Sequence, residues 1–592
     1  MIKSRLIAGV AKRDKNLKTR EKNLKISSFK IISYLSIILN FFCIISGIFY
    51  IIFPIYSIFW DFLGFIILIT IFNNFIMIFI NSIKRSDQYI VPNRWNVLSY
   101  IFLILIILTT TCIMLGNLLI SVTYSNQLSY NLGAYTLIYL FYFAIMTFGM
   151  FYAILGIKIY QNNISELQIQ IFDKKFSRGF TKTKRFLKKI LTLISRITFI
   201  IGILFGIVCI FGSFEVLTTF IAIVSGQFGL FFSIIFFGNT ILLLKLKHRK
   251  WNTKKGYRNI LIGVIVSGML MVPLFLIHNT INDIEKEFSS MFSSNWRDDI
   301  PQNVNQYFIE TPFSLSNYFL GIPPKDCKIE KNTLFYDDEG IRLYFDAYMP
   351  LIKRNDLPGI NSTIIRIHGG GWVSGDKGLM NMIQMNKYFA AQGYTVFDIQ
   401  YGIDENPLYE LDPLTPSYNK GNFNIDDMMR HIGVFTNYIT NNTENYGANL
   451  DSVFISGGSA GGHLTCAVAL AIASGNYTDI FSTSIKIKGL VPFYPANGQM
   501  GFFGVSGSDV FKNPEKLIES NSPPCLIFQG THDILNYFSI SQNIRNKYID
   551  KGNKKCAILW MPLGGHASDF YFTGYYNQIF LYYMERFLYL YH

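Results

Sequence analysis

The chain has 592 residues, half of them hydrophobic and 16% aromatic, with a formal net charge of +15. Residues 1–280 carry 30 Lys and Arg against 7 Asp and Glu, whereas residues 281–592 carry 23 against 31. The positive charge is confined to one half, which excludes a nucleic-acid-binding protein, whose charge would form a basic face on the functional domain.

Residues 1–30 hold ten Lys and Arg and read as a basic cytoplasmic segment, not as a cleavable signal peptide. Region 31–278 then contains seven apolar stretches, near 31–54, 57–82, 98–121, 134–156, 191–212, 217–244 and 259–278, with Pro54 ending the first. Each is about the length that a helix needs to cross a bilayer, ~20 residues. The expected architecture is an all-α membrane bundle of about seven helices, with the lipid bilayer as its partner.

Lys and Arg collect in alternate connections: three in 83–97, nine in 157–190 and seven in 245–258, with none around 55–56, 122–133 or 213–216. Positively charged loops stay on the cytoplasmic side. The N-terminus is therefore expected inside and, after an odd number of crossings, everything past residue 278 outside, in an extracellular or luminal space. Asp61 and Arg196 stand near helix ends rather than centres, and Gly202 and Gly206 form a GxxxG read as helix packing. The bundle thus reads as an anchor.

Residues 279–330 form a polar, aromatic-bearing connector, expected to supply a partial cap. Region 331–592 changes to short β-rich runs, Thr333–Tyr336, Ile341–Met349, Thr363–His368, Thr395–Gln400, Ser452–Ser456, Ile487–Phe493, Cys525–Gln529 and Ala557–Met561. Helical stretches near 379–391, 424–440, 460–473, 537–550 and 571–589 alternate with the later ones. This alternation predicts a mostly parallel sheet covered by helices.

In such a sheet, reactive groups gather at the carboxyl ends of the strands. Four of the runs lead into distinctive sequences: His368-Gly-Gly-Gly-Trp372, Gly457-Gly-Ser-Ala-Gly461, Gly530-Thr-His-Asp533 and Gly564-Gly-His566. A serine hydroxyl attacks only when a base removes its proton. Ser459 in a glycine turn between strand and helix suits a nucleophile, and His566 suits the base. Asp533 would fix the imidazole tautomer. Backbone N–H groups of Gly370, Gly371 and Ala460 would form an oxyanion hole. The chain order Ser…Asp…His is that of α/β-hydrolases.

Other residues are weaker candidates. His463, one turn after Ser459, reads as helix packing, His532 as pointing away, and Asp569 as an alternative acid. No His/Cys cluster has metal-ligand spacing, and neither a metal nor a cofactor is expected. Cys43, Cys112 and Cys209 fall in membrane stretches. Cys327, Cys466, Cys525 and Cys556 leave disulfides and buried thiols both open. Asn361, Asn441 and Asn476 stand in N-x-S/T sequons.

With HGGGWVSGDK at 368–377, GYTVFDIQY at 393–401, GGSAGGHL at 457–464, FQGTHD at 528–533 and LGGHASDF at 563–570, residues 331–592 resemble an α/β-hydrolase of the esterase/lipase group. That group includes hormone-sensitive-lipase-like enzymes and the bacterial carbohydrate-ester, feruloyl-esterase-like (BD-FAE) branch. The resemblance implies Ser459 as nucleophile, Asp533 as acid and His566 as base. It also implies Gly370, Gly371 and Ala460 as oxyanion donors, His368 as organiser of its loop and Trp372 as a pocket residue. Hormone-sensitive-lipase types carry an acid before the serine where this chain has Gly458, which favours the small-acyl or carbohydrate-ester branch. The connector and the insertion 403–421 are expected to shade the pocket.

The function expected is a membrane-anchored carboxylic-ester hydrolase, acting on small acyl, carbohydrate or lipid esters. An acyltransferase using the same serine, and a membrane sensor or transporter with a non-catalytic hydrolase-like domain, are the alternatives.

Overall fold

Among the described residues, seven helices are long and apolar enough to cross a membrane, and their order follows the apolar stretches of the sequence. The computed structural model describes residues 30–53, 58–83, 93–122, 128–161, 181–247, 253–322, 325–352, 354–380, 382–405, 413 and 415–592. Most of the basic segment and much of the Lys/Arg-bearing connections, together with Pro54, lie outside the described residues. The helices are α1 (Lys30–Ile52), α2 (Ile58–Ile83), α3 (Asn93–Ser121), α4 (Leu128–Gln161), α5 (Thr181–Phe211), α6 (Val216–Gln227), α7 (Gly229–Lys247) and α8 (Lys254–Met291). A backbone that leaves water must satisfy its own N–H and C=O groups, which an apolar helix does along its length.

Two expectations need correction. The stretch 217–244 is not one helix: it breaks at Phe228 into α6 and α7. Hydropathy is blind to this break because both sides are apolar. Just past the break the backbone runs close against α8: a Cβ on Gly229 would lie 2.3 Å from the Leu270 carbonyl oxygen. The stretch 259–278 is the middle of a longer helix, α8, which continues through Pro273 into the connector as far as Met291.

The chain forms two units. One comprises residues up to Ile113, Leu137–Leu204 and Phe231–Gly268; the other comprises Met114–Thr136, Phe205–Leu230 and Met269–His592. In the first, large apolar side chains such as Ile38, Phe62 and Leu108 are exposed, while polar groups face inward among buried apolar ones such as Phe75, Met77 and Phe102. Ser36 donates to Asn74 Oδ1 at 2.8 Å, and Asn40 and Asn74 exchange amide hydrogen bonds at 3.1 Å. Ser195 donates to Asn239 Oδ1 at 2.6 Å, and Gly202 admits the Phe236 ring, as a helix-packing glycine should.

The second unit is built on an eight-stranded sheet: β1 (Lys328–Asp338), β2 (Ile341–Met349), β3 (Thr363–Ile367), β4 (Thr395–Ile399), β5 (Val453–Gly458), β6 (Ile487–Phe493), β7 (Cys525–Gly530) and β8 (Cys556–Met561). The spatial order is β1-β2-β4-β3-β5-β6-β7-β8, and β2 runs antiparallel to both of its neighbours. From β4 to β8 the strands are parallel. Strands β3 and β4 are buried at every position, as strands covered on both faces are. The chain passes from β3 to β4 on one side and then to β5 on the other, so a crevice opens at the carboxyl ends of β3 and β5.

The connector packs on the last helix, Tyr575–Tyr591. Trp296 is buried against Phe288 and Tyr583, Ile309 N–H donates to Glu585 at 2.7 Å, and Arg586 donates to the Ile309 carbonyl at 3.0 Å. The ends of α3 and α6 join the same unit. Asn117 donates to the Phe319 carbonyl at 3.0 Å, and Phe572 N–H donates to Ser121 at 3.1 Å. All seven cysteines are free, and Cys525 and Cys556 face each other across β7 and β8.

Candidate active site

Ser459 sits where β5 ends and the helix Ala460–Ser474 begins, at φ 58° and ψ −120°, a conformation that side-chain-bearing residues rarely hold. The glycines around it make the turn possible. A Cβ on Gly461 would lie 2.2 Å from the Ile367 carbonyl oxygen, and one on Gly458 would lie 2.8 Å from the Tyr494 hydroxyl. The second clash explains the missing acid before the serine: Tyr494 fills that place and donates to Asp569 Oδ1 at 2.8 Å.

His566 follows β8 and Asp533 follows β7. The His566 Nδ1 lies 2.9 Å from Asp533 Oδ2, so Nδ1 carries the proton and Nε2 is left as the acceptor. The other carboxylate oxygen of Asp533 accepts the N–H groups of Leu535 and Asn536, both at 2.9 Å. Asp569 therefore does not serve as the partner of His566; burial pushes its carboxyl above the usual range, and it takes the Tyr494 hydroxyl.

After β3, the glycine run turns tightly. Gly370 has φ 119°, and a Cβ there would lie 1.9 Å from the Ser374 carbonyl oxygen. Ser374 donates to the Gly370 carbonyl through its N–H at 2.9 Å, closing the turn. His368 is buried, donates from Nδ1 to the Gly369 carbonyl at 2.8 Å and stacks on Tyr401. The end of the motif is pinned as well: Gln400 donates to Asp376 at 2.6 Å, and Lys377 pairs with Asp346 at 3.0 Å. Trp372 is buried at φ 64° and donates its indole N–H to His463 Nδ1 at 3.3 Å, while His463 Nε2 donates to the Phe511 carbonyl at 2.7 Å. Burial lowers the His463 pKa to about 4, so this bridging imidazole is neutral, in keeping with its packing role.

Ser459, His566, Gly370, Gly371 and Trp372 all line one cavity of about 500 Å³. Its walls are mostly apolar, from Leu379, Met382, Phe493, Phe502, Phe503 and Ile534 among others. Among the described residues, neither the connector nor the insertion 403–421 lines it; residues 406–412 and 414 of the insertion lie outside the described residues. The connector is held on the last helix instead. Of the lining residues that the sequence reading did not name, three bear most on the site. Asn536, three residues past Asp533, donates to the Tyr494 carbonyl at 2.6 Å and approaches Ser459 Oγ at 3.5 Å. Tyr494 packs beside the His566 ring. Phe220 comes from α6, where nothing in the sequence hinted at a site. No group of metal-binding side chains is present among the described residues.

The BD-FAE family model matches residues 345–502. This is the branch toward which the sequence resemblance pointed, and the BD-FAE match covers both the glycine run and Ser459. No curated protein matches the chain. Among solved structures, esterase B from Lactobacillus rhamnosis, inhibited in that crystal, is 20% identical with a TM-score of 0.34, covering 42% of this chain and 81% of its own. Esterase 2 from Thermogutta terrifontis is 19% identical with a TM-score of 0.33, covering 45% of this chain and 91% of its own. The C-terminal region has the α/β-hydrolase fold expected from the sequence, preceded by the long apolar helices also expected.

Proposed function

We propose that the chain is a membrane-anchored carboxylic-ester hydrolase that works through Ser459, His566 and Asp533. The observation that carries this reading is the 2.9 Å hydrogen bond from His566 to Asp533, with His566 and the strained Ser459 opening onto one cavity. Ser459 Oγ attacks the ester carbonyl carbon while His566 Nε2 takes its proton. The C–O bond to the alcohol then breaks, and the alcohol leaves with that proton. Water gives a proton to His566 and attacks the acyl carbon; the Ser459–acyl bond breaks, and the proton returns to Ser459 as the carboxylic acid leaves. The N–H groups of Gly370, Gly371 and Ala460 would hold the oxyanion, each worth about 3 kcal/mol in the transition state. His368 organises their loop, and Trp372 lines the pocket. The distribution of Lys and Arg supports a catalytic domain on the extracellular or luminal side.

The test is labelling of intact cells with a membrane-impermeant fluorophosphonate, wild type beside Ser459→Ala. Labelling of wild type alone supports both the nucleophile and its side of the membrane. Labelling that needs permeabilised cells would overturn the orientation but keep the enzyme, and equal labelling of both proteins would overturn the nucleophile. Turnover of a short-chain ester by the variant should fall about a million-fold.

A further inference from the structure

Phe220 lines the cavity, yet it belongs to α6, in the stretch that the sequence assigns to the membrane. The 12 residues of α6 rise only about 18 Å, too little for a hydrocarbon core of about 30 Å. The 18-residue apolar stretch Gly229–Leu246 of α7 rises about 27 Å and can cross alone, with Lys245 and Lys247 at its far end. α6 is therefore surplus to the crossing and lies between the break at Phe228 and the loop Gly212–Glu215, at the N-terminal end of the span α7 and away from Lys245 and Lys247.

Its two faces differ. Thr219, Ala222 and Ser225 are buried, whereas Phe220 is 66% exposed. The buried face braces the loop of the catalytic base: a Cβ on Gly565 would lie 3.4 Å from Ala222, and Gln227 donates to the Ala567 carbonyl at 3.0 Å. Around the same cavity stand Phe502, 82% exposed, and the exposed Leu535 and Tyr537. Large exposed apolar groups rimming a site mark an interaction surface, and a tyrosine such as Tyr537 settles at the head-group level of a bilayer. Continuity of α6 with the span α7 commits the occupant to lipid.

We infer that the ester reaches Ser459 from the bilayer. The substrate class is an amphiphilic ester whose apolar chain stays in the membrane and whose ester group lies at head-group level; Phe220 is the wall along which the chain enters. This inference rests on the hydrolase reading above.

The experiment uses the full chain in phosphatidylcholine nanodiscs. It measures cleavage of p-nitrophenyl palmitate dissolved in the bilayer against that of p-nitrophenyl acetate in water, with fluorophosphonate labelling alongside. The palmitate-to-acetate rate ratio should fall about tenfold in Phe220→Ser, as for lost apolar contacts in a binding pocket, and recover in Phe220→Leu. It should hold in Phe214→Ser, an exposed position outside the cavity lining. Cleavage of acetate without palmitate, an unmoved ratio in Phe220→Ser, or an equal fall in Phe214→Ser would each overturn the inference and leave the hydrolase standing. Absence of both labelling and cleavage would overturn the hydrolase reading, and this one with it.

Discussion

Inside the helical unit, the buried polar side chains are amides and hydroxyls such as Ser36, Asn40, Asn74, Ser195 and Asn239; among the described residues none is charged. Inside the hydrolase unit, the buried set includes Arg366, Asp398, Asp533, Asp569, Glu585 and Arg586. An uncharged side chain can find its partner on a neighbouring helix at little cost, whereas an ion in lipid is expensive unless function keeps it there. The hydrolase unit can hold charge because its loops and helix ends supply donors: Asp533 has three, and Glu585 accepts from Ile309, Tyr388, Gln392 and Arg586. Polar groups in the first unit hold helices together, and those in the second also set up chemistry.

That contrast is sharpened most by Asp533→Asn, which leaves the shape of the acid but reverses the hydrogen-bonding demand on His566. Turnover of a soluble ester should fall about ten-thousandfold, with little change in KM and no loss of folded protein by thermal unfolding.

A smaller effect concerns a buried charge beneath the site. Asp398 is raised from 3.8 to about 7 by burial and by Asp346, against the pull of Arg366, Lys377 and the Gly378 N–H. The folded state thus keeps a proton that the unfolded chain releases above about pH 4. Stability from this group is full below pH 3.8 and is lost as pH rises through about 7. Asp398→Asn should flatten that decline, by up to about 4 kcal/mol between pH 4 and pH 8, in unfolding measured across the range. A variant as steep as wild type would remove Asp398 from the account.

The smallest effect should come from the other side of the comparison. Asn74→Ala removes the centre of the Ser36–Asn40–Asn74 cluster. It should cost about 1 kcal/mol of stability in detergent. Its turnover of a short-chain ester should stay within about twofold of wild type. A large loss of activity would break the contrast and give the bundle a part in the reaction.

The hydrolase fold was legible because each motif follows its own strand, and alternation of strand and helix survives in hydropathy. The order of Ser459, Asp533 and His566 could be read without coordinates for the same reason. The break at Phe228 could not, since the residues on both sides of it are apolar and hydropathy runs through it unchanged. Phe220 was hidden with it, because an aromatic residue in an apolar run carries no sign of the cavity it faces. Asn536 and Tyr494 lack a motif of their own and acquire meaning only from the carbonyl, hydroxyl and ring that tertiary folding brings beside them. The connector was expected over the pocket because its composition is that of a surface segment, but composition does not say which surface.

The cysteines have a practical consequence. Cys466, Cys525 and Cys556 are buried and free, and burial pushes the thiols of Cys466 and Cys525 far above their usual range, so they stay protonated and unreactive. A domain whose cysteines are all free needs neither an oxidising compartment nor an isomerase to mature. It should be produced in a reducing host, purified in dithiothreitol and returned from denaturant without the slow shuffling of mispaired sulfurs.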